Sequence, residues 1–280
     1  MSMRVGRIPY INCYPVYGAI DRGIVSLDAK LVDGVPTALN HAMAAGTLDV
    51  SVISAVEYAR DAARYLLLPD LAISCDGPVR SVMLFSRRPA ESLGGERVLV
   101  SRSSMTSVAL LRLMFEEVWR TEPVFIPSDA EVSDLVRSGA EPHDARLIIG
   151  DAALMLTSGA SELAADYPYV YDLGSVWKEW TGLPFVFAVW VAQRTTPVAG
   201  SLAVHAQLIE SRDWGLKHLD QLAAQAAVAT GVSRLKALEY LSGLDYGLRY
   251  EHLAGLTAFF GKLAASGRVP NGSLAFLPAA

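Results

Sequence analysis

The sequence predicts an α/β protein with two lobes, in which a C-terminal helical segment packs on the first lobe. Short apolar runs of strand length alternate with segments of helical spacing over residues 4–173. The apolar run 185–192 follows a second complete set of these elements, and we expect it to return to the first lobe. Beyond Pro197 the sequence keeps only helical periodicity, which indicates a tail without strands.

The elements of the first lobe follow one another in a regular order, which favours parallel strand pairing. Strands are expected at residues 4–8, 29–33, 48–53, 71–75 and 81–86, and helices at 14–22, 38–45 and 55–63. We expect the hydroxyl of Thr37 to cap the second helix, because an N-cap oxygen accepts from free backbone N–H groups. Gly46 is expected to end that helix, since glycine adopts the left-handed conformation that closes many helices.

The second lobe repeats this alternation. Its strands are expected at residues 96–101, 123–126, 145–149 and 169–173, and its helices at 108–119, 131–138 and 151–156; the tail helices are expected at 201–227, 233–242 and 250–265. We assign residues 1–85 and 191–280 to lobe I and residues 86–190 to lobe II. Crossings near residues 81–86 and 185–191 would form a hinge beside a ligand cleft. This arrangement resembles the type II periplasmic-binding-protein fold.

The composition argues against several classes of partner. The 280 residues carry a net charge of −5 without a block of lysine and arginine, which disfavours nucleic acid and anionic membranes. No apolar run approaches the roughly 20 residues of a spanning helix, and the N-terminus starts directly in a strand pattern, so we expect a cytoplasmic protein. Cys13, Cys75 and the histidines are scattered without metal-ligand spacing, so no metal site is predicted. The oligomeric state stays open.

Candidate ligand-binding residues lie where strands end or helices begin. They are Asn12, Ser54, Asp151 and the hydroxyl cluster of Ser104, Thr106 and Ser107. Several hydroxyls beside free N–H groups at a helix N-terminus can hold a carboxylate or phosphate, although ordinary N-capping needs only one of them. The amide of Asn12 can donate and accept at once, and an Asx turn is the alternative interpretation. Asp151 is equally suited to capping the helix that it precedes.

Further candidates lie near the two crossings. Ser81 follows Arg80 at the first crossing, where a plain strand serine is the alternative. Thr181 and Gly182 form the turn before the run 185–192, and such a turn often meets a ligand. Aromatic residues that are candidates to wall a flat ring, although aromatics more often form core, are Tyr10, Tyr14, Trp177 and Trp180. The chain has no P-loop, GxGxxG fingerprint or GxSxG elbow, which disfavours nucleotide chemistry and hydrolysis.

As an ordered set, several of these segments resemble the chorismate dehydratase family, which begins the futalosine route to menaquinone. The segments that carry the resemblance are 4–12, 34–40, 46–54, 81–86, 104–107, 149–151 and 177–190. The resemblance implies a lyase that removes water from chorismate, a small dianion, to give 3-[(1-carboxyvinyl)oxy]benzoate. It implies no cofactor and no metal.

The same resemblance implies catalytic roles for Asn12 and Ser81. Asn12 would position the enolpyruvyl carboxylate or the departing hydroxyl, and Ser81 would bind the substrate at the hinge. Because the cleft segments offer no obvious protein base, we hypothesise that a carboxylate of the substrate takes the proton from ring C3.

Two other functions are compatible with this sequence. Dihydroxynaphthoate synthase, a sister enzyme of the same fold, would be expected to show a functional histidine, and none of the five histidines lies in a cleft segment. A solute-binding or ligand-sensing protein would share the fold without catalysis, because fold alone does not determine function.

Overall fold

The strands form two mixed sheets. The structure, a computed structural model, describes residues 2–128, 142–158 and 166–278. Its strands are β1 (Met3–Arg7), β2 (Ala29–Asp33), β3 (Val50–Ser54), β4 (Tyr65–Cys75), β5 (Val82–Ser86), β6 (Arg97–Ser101), β7 (Val124–Ser128), β8 (Ala145–Ile149), β9 (Tyr169–Asp172) and β10 (Phe185–Gln193). The two five-stranded sheets have the orders β2-β1-β3-β10-β4 and β7-β6-β8-β5-β9. This architecture confirms the predicted fold class.

One strand in each sheet runs against the others. In the first sheet β10 pairs antiparallel with β3 and β4, and in the second β5 pairs antiparallel with β8 and β9. The pairs β1–β2, β1–β3, β6–β7 and β6–β8 are parallel. The prediction of parallel pairing is therefore wrong for β5 and β10. Each of them follows a crossing between the sheets and enters its sheet from the opposite end.

Helices cover the sheets and form the tail. They are α1 (Tyr14–Asp21), α2 (Pro36–Ala44), α3 (Ala55–Arg60), α4 (Met105–Leu113), α5 (Gly150–Thr157), α6 (Leu173–Thr181), α7 (Val198–Lys217), α8 (Leu219–Thr230), α9 (Arg234–Gly243) and α10 (Tyr250–Ala265). A 3-10 turn, Ile11–Cys13, precedes α1, and a π-helical turn, Met114–Val118, extends α4. Within the described ranges, no helix is both long and apolar enough to cross a membrane.

Two helix predictions need correction. No side chain caps α2, which follows Val35 and begins at Pro36; the predicted cap at Thr37 is wrong because proline already occupies the first turn, where its missing N–H is harmless. The single tail helix expected at 201–227 is two helices, α7 and α8, which meet at His218. The helix expected at 131–138 lies outside the described residues.

The chain passes between the sheets twice, over residues 76–81 and 173–184. These crossings lie ahead of the predicted boundaries at 85/86 and 190/191, because β5 belongs to the second sheet and β10 to the first. The carboxylate of Asp172 joins the two crossings. It accepts from the backbone N–H groups of Val79 and Arg80, at 3.0 and 2.7 Å, and it caps α6. A hinge motion at the crossings stays a prediction.

The helical tail packs on the first sheet and its helices, as predicted. Gly215 of α7 lies so close to the Pro15 carbonyl of α1 that a Cβ atom would overlap it. Gly255 of α10 approaches the Pro184 carbonyl, just before β10, in the same way. Backbone bridges from the tail to Leu67 and Ser74 of β4 complete the attachment. The tail therefore depends on small residues at two close helix contacts.

Substitution of two glycines in α10 tests this packing. We expect Gly255→Ala to lower the free energy of unfolding by about 1 to 3 kcal/mol, because its methyl group would overlap backbone. Gly261 of the same helix has open space at its Cβ position, so Gly261→Ala should raise the free energy of unfolding by up to about 1 kcal/mol. Urea unfolding of both variants measures the difference. Effects of the same sign would contradict the close approach at Gly255.

Candidate active site

A cavity of about 70 Å³ lies between the two sheets. Its apolar lining is Ile8, Pro36, Ile73, Val79, Val82, Ile149, Gly150, Phe187 and Ala188, and its polar and aromatic lining is Tyr10, Asn12, Ser54, Ser81, Ser104, Thr106 and Ser107. Most of the residues that the sequence singles out thus meet in one place. An enclosed apolar space with a few convergent polar groups is the usual form of a small-molecule site.

Strand ends and helix starts bring these residues together. The parallel strands β1, β3, β6 and β8 end around the cavity, as expected for ligand sites of α/β proteins. Helices α2, α4 and α5 begin at or beside the lining residues Pro36, Ser104 and Gly150. Their N-terminal ends carry partial positive charge and unpaired N–H groups, which favour an anion.

Ser54 is held in a fixed orientation by a buried amide. Asn40, fully buried on α2, donates from its Nδ2 to the Ser54 Oγ at 2.8 Å, and its Oδ1 accepts from the Ser54 N–H at 3.1 Å. The backbone N–H of Glu57 also donates to the Ser54 Oγ, at 3.4 Å. A serine hydroxyl has two acceptor positions and one proton. With both acceptor positions used, its proton is left for a ligand.

In the hydroxyl cluster of α4, Thr106 and Ser107 likewise accept hydrogen bonds from the protein. The Thr106 Oγ1 accepts from the backbone N–H of Val56 at 3.2 Å, which links α4 to α3. Ser104 caps α4 by accepting from the Ser107 N–H, and its own hydroxyl donates to the Ser107 Oγ at 2.8 Å. Capping therefore occupies Ser104, whereas the protons of Thr106 and Ser107 have no acceptor among the residues that the structure describes. Both hydroxyls can donate to a bound anion.

Ser81 enters the cavity from the first crossing. Arg80, just before it, has a φ of 62°, in the left-handed region that a non-glycine residue seldom occupies. The carboxylate of Asp172 holds this strained turn through the Arg80 N–H. The Ser81 Oγ accepts from the phenol of Tyr240, on α9, at 2.8 Å. Ser81 is thus another hydroxyl that a protein donor orients.

Asn12 and Tyr10 also line the cavity. The Oδ1 of Asn12 is buried and accepts no hydrogen bond from any described residue. The Tyr10 ring packs against Gly150, whose φ is 65° and whose Cβ would lie 3.2 Å from the ring. Glycine is favoured at position 150 for two reasons, because the left-handed backbone conformation and the close Tyr10 ring both disfavour a side chain.

Asp151 lies just behind the cavity wall. Its Oδ1 accepts from the backbone N–H of Ile11 at 3.2 Å, so it joins α5 of the second sheet to the turn that carries Asn12. Burial raises the pKa of Asp151 to about 6, an effect that the Ile11 hydrogen bond only partly offsets. Asp151 does not line the cavity itself, and the helix that it opens has no side-chain cap.

No lysine or arginine lines the cavity in the described part of the chain. Arginines near the cleft segments have other partners: Arg4 pairs with Asp49, Arg7 with Asp33 and Asp21, Arg80 with Glu239, and Arg87 lies over the Tyr167 ring. No group of three His, Cys, Asp or Glu side chains within residues 2–128, 142–158 and 166–278 could hold a metal ion. Among the described residues, the groups available to an anion in the cavity are neutral donors and helix ends.

The structure does not bring Thr181 and Gly182 to the cavity. The Thr181 hydroxyl donates to the Trp177 carbonyl at 2.8 Å, and Gly182 ends α6 with a φ of 73°. Trp177 is fully buried, and its indole N–H donates to the Pro184 carbonyl. Trp180 packs on Trp177 and Lys262, and Tyr14 packs against the core. Local helix closure explains the composition of this turn, and its contact with a ligand stays a prediction.

Three residues of the site were missed at the sequence level. Asn40, Phe187 and Tyr240 either line the cavity or orient a lining hydroxyl. Asn40 lies in a segment that carries the family resemblance, so a polar residue on the apolar face of α2 was an available signal. Tyr240 lies in the tail, and no local pattern connects it with Ser81.

Comparison with solved structures defines the class of the protein as periplasmic-binding-protein-like. Protein AF1704 from Archaeoglobus fulgidus is similar with a TM-score of 0.77 and 22% identity, covering 95% of this chain and 98% of that one. The periplasmic aliphatic sulphonate binding protein SsuA from Escherichia coli is similar with a TM-score of 0.61 and 16% identity, covering 96% and 94%. These likenesses confirm the predicted fold.

Sequence comparison defines the family. Residues 3–265 match the menaquinone biosynthesis family, so the chain belongs to it. The chorismate dehydratase of Thermus thermophilus is 31% identical over 240 residues, which cover 82% of this chain and 85% of that protein. The chorismate dehydratase of Campylobacter jejuni is 27% identical over 190 residues, or 66% of each chain. The recognised resemblance is thereby confirmed.

The buried carboxyl of Asp151 predicts a pH-dependent stability. Because its folded-state pKa lies above its ordinary value of 3.8, stability falls as the pH rises from about 4 to about 6, where the carboxyl is ionised in the unfolded chain but still protonated in the folded one. Asp151→Asn keeps an acceptor for the Ile11 N–H without the charge. We expect this variant to be more stable than the wild type by up to about 3 kcal/mol at pH 7, with the difference shrinking as the pH falls from 6 toward 4. Urea unfolding across this range would contradict the account if the difference were constant.

Proposed function

We propose that this protein is a chorismate dehydratase, a lyase that removes water from chorismate to give 3-[(1-carboxyvinyl)oxy]benzoate. Membership of the menaquinone biosynthesis family and the likeness to two chorismate dehydratases support this activity. The observation that carries it is the set of oriented hydroxyl donors around a cavity whose described lining has no lysine or arginine. Such a cavity can bind a dianion and leave its carboxylates reactive.

The shape and polarity of the cavity suit a flat dianion. The rings of Tyr10 and Phe187 offer apolar contact surface to the substrate ring. The hydroxyls of Ser54, Thr106 and Ser107 donate to a carboxylate, with the N-terminal ends of α4 and α5 beside them. A cavity of about 70 Å³ holds only about two water molecules, so the proposed cycle includes separation of the lobes to admit the substrate.

Asn12 faces the departing hydroxyl in our proposal. Its buried Oδ1 accepts no hydrogen bond from any described residue. A substrate carboxylate has no proton to donate to it, whereas the C4 hydroxyl of chorismate has one. If the Asn12 Oδ1 accepts a hydrogen bond from the C4 hydroxyl, the lone pairs of the C4 oxygen point away from Asn12. They can then receive the second proton, which completes the water molecule. Ser81, a hydrogen-bond donor in the same cavity, would stabilise charge on a substrate oxygen as the C4–O bond breaks.

A substrate carboxylate is the proposed base. It takes the C3 proton, the C3–H electron pair forms the C3–C4 double bond, and the C4–O bond breaks. The departing hydroxide takes the proton from the carboxylic acid and leaves as water, so no oxidant or cofactor takes part. A lysine or arginine beside the carboxylate would lower its pKa and make it a weaker base, and neither is present among the described residues that line the cavity. Aromatisation of the ring supplies the driving force.

Asp151 is the alternative base, because its pKa lies near 6 and it adjoins the cavity wall. We assign it instead to holding the turn of Asn12 through the Ile11 N–H, since its carboxylate already accepts that bond. Dihydroxynaphthoate synthase and a non-catalytic binding protein remain the competing functions. A cytoplasmic location also stays part of the proposal.

Turnover of chorismate tests the proposed function. Purified protein incubated with chorismate should yield an aromatic product lighter by one water molecule, detected by chromatography with mass detection. Asn12→Asp places a negative charge against a dianion and should lower kcat at least about 100-fold, and Ser81→Ala about 10- to 100-fold. Thr181→Ala, a hydroxyl outside the cavity, is the control and should keep full activity. Wild-type protein that binds chorismate but leaves it unchanged would contradict the proposal.

The pH dependence of kcat separates the two bases. If the substrate supplies the base, Asp151→Asn should retain kcat within about tenfold, with a pH profile of unchanged form. If Asp151 is the base, the same variant should lose about 10²- to 10⁴-fold of kcat, together with any pH limb near 6. The second result would overturn the substrate-assisted step without affecting the assignment of the overall reaction.

A further inference from the structure

A tyrosine of the helical tail contacts a serine that lines the cavity. Tyr240, on α9, is 1% exposed, and its phenol oxygen lies 2.8 Å from the Oγ of Ser81. Ser81 itself is 4% exposed and lines the cavity. The tail therefore does more than cover the first sheet: it contributes a group in direct contact with a residue of the candidate site.

The direction of this hydrogen bond decides what Ser81 can do. Burial raises the pKa of the Tyr240 phenol, so the phenol keeps its proton and donates it to the Ser81 Oγ. A hydroxyl that accepts from one side has its own proton left to donate elsewhere. Without Tyr240, the serine hydroxyl would be free to turn its proton away from the cavity and toward another acceptor.

We propose that Tyr240 is a positioning residue for the dehydration, because its phenol fixes Ser81 as a donor toward the substrate. This inference rests on the proposed function and adds a group that does not touch the substrate. Ser81 is thereby held by two distant parts of the chain, with Asp172 fixing its backbone turn and Tyr240 fixing its hydroxyl. The preorganised donor needs no reorientation as negative charge develops.

A double-mutant cycle tests this role. Kinetic constants for chorismate are measured for wild type, Tyr240→Phe, Ser81→Ala and the double variant. Tyr240→Phe should lower kcat about tenfold, the size expected for one hydrogen bond, with a smaller change in KM. In the Ser81→Ala background the same substitution should have no further effect on kcat, because Tyr240 acts only through Ser81. Additive losses, or full activity of Tyr240→Phe, would overturn the inference.

Two other buried tyrosines serve as matched controls. Tyr246 is also 1% exposed, and its hydroxyl has no partner among the described residues, so Tyr246→Phe should leave kcat unchanged. Tyr17 donates to the Gly6 carbonyl and accepts from the Trp190 indole, so Tyr17→Phe measures the loss of stability from a buried phenol outside the site. Tyr17→Phe removes two hydrogen bonds and Tyr240→Phe one, so Tyr17→Phe should melt at the lower temperature, and only Tyr240→Phe should lose kcat.

These variants separate the inference from the proposed function. Wild-type protein without turnover of chorismate would overturn both. Wild-type turnover with equal kcat for Tyr240→Phe and Tyr246→Phe would overturn the positioning role alone.

Discussion

The return of β10 to the first sheet is the constraint on which the rest of the structure depends. All nine residues of Phe185–Gln193 are buried, and the strand fits antiparallel between β3 and β4. Because β10 follows the whole second sheet in sequence, the first sheet is complete only when the second has been inserted. The register that pairs Ala188 with Ser54 also sets the cavity, since Phe187 and Ala188 form its wall beside the Ser54 hydroxyl. One strand thus links the folding of the first sheet to the geometry of the site.

The second organising device is the orientation of neutral donors by buried partners. Asn40 and Tyr240 lie behind Ser54 and Ser81, and a backbone N–H lies behind Thr106. The hydroxyls of Ser54, Ser81 and Thr106 each accept from the protein and can donate to a ligand. Binding an anion in this way, without a cation, leaves a carboxylate more basic than an ion pair would. The buried carboxyl of Asp151 lowers stability when it ionises. It nevertheless lies where it accepts from the Ile11 N–H and so joins α5 to the turn that carries Asn12.

Much of this organisation could be predicted from local sequence. Apolar periodicity identified nearly every described strand, the return of β10 and the tail without strands. Strand ends and helix starts indicated Asn12, Ser54 and the hydroxyl cluster of α4, and the first crossing indicated Ser81. Thr181 and Gly182 lie outside the cavity, and the sequence could not show this because helix closure and ligand turns use the same residues. Tyr240 lies 159 positions from Ser81, and no local pattern encodes a contact that only the folded tail creates. The antiparallel directions of β5 and β10 could not be predicted from local sequence either, because they depend on the crossings between the sheets.

A crystal structure with 3-[(1-carboxyvinyl)oxy]benzoate bound would test the central claim most directly. The account predicts that the ligand lies in the cavity, with its carboxylates accepting hydrogen bonds from hydroxyls of Ser54, Ser81, Thr106 or Ser107. No lysine or arginine nitrogen should lie within about 4 Å of either carboxylate, the usual limit for an ion pair. A carboxylate paired with an arginine or lysine, or a ligand bound elsewhere, would contradict the account.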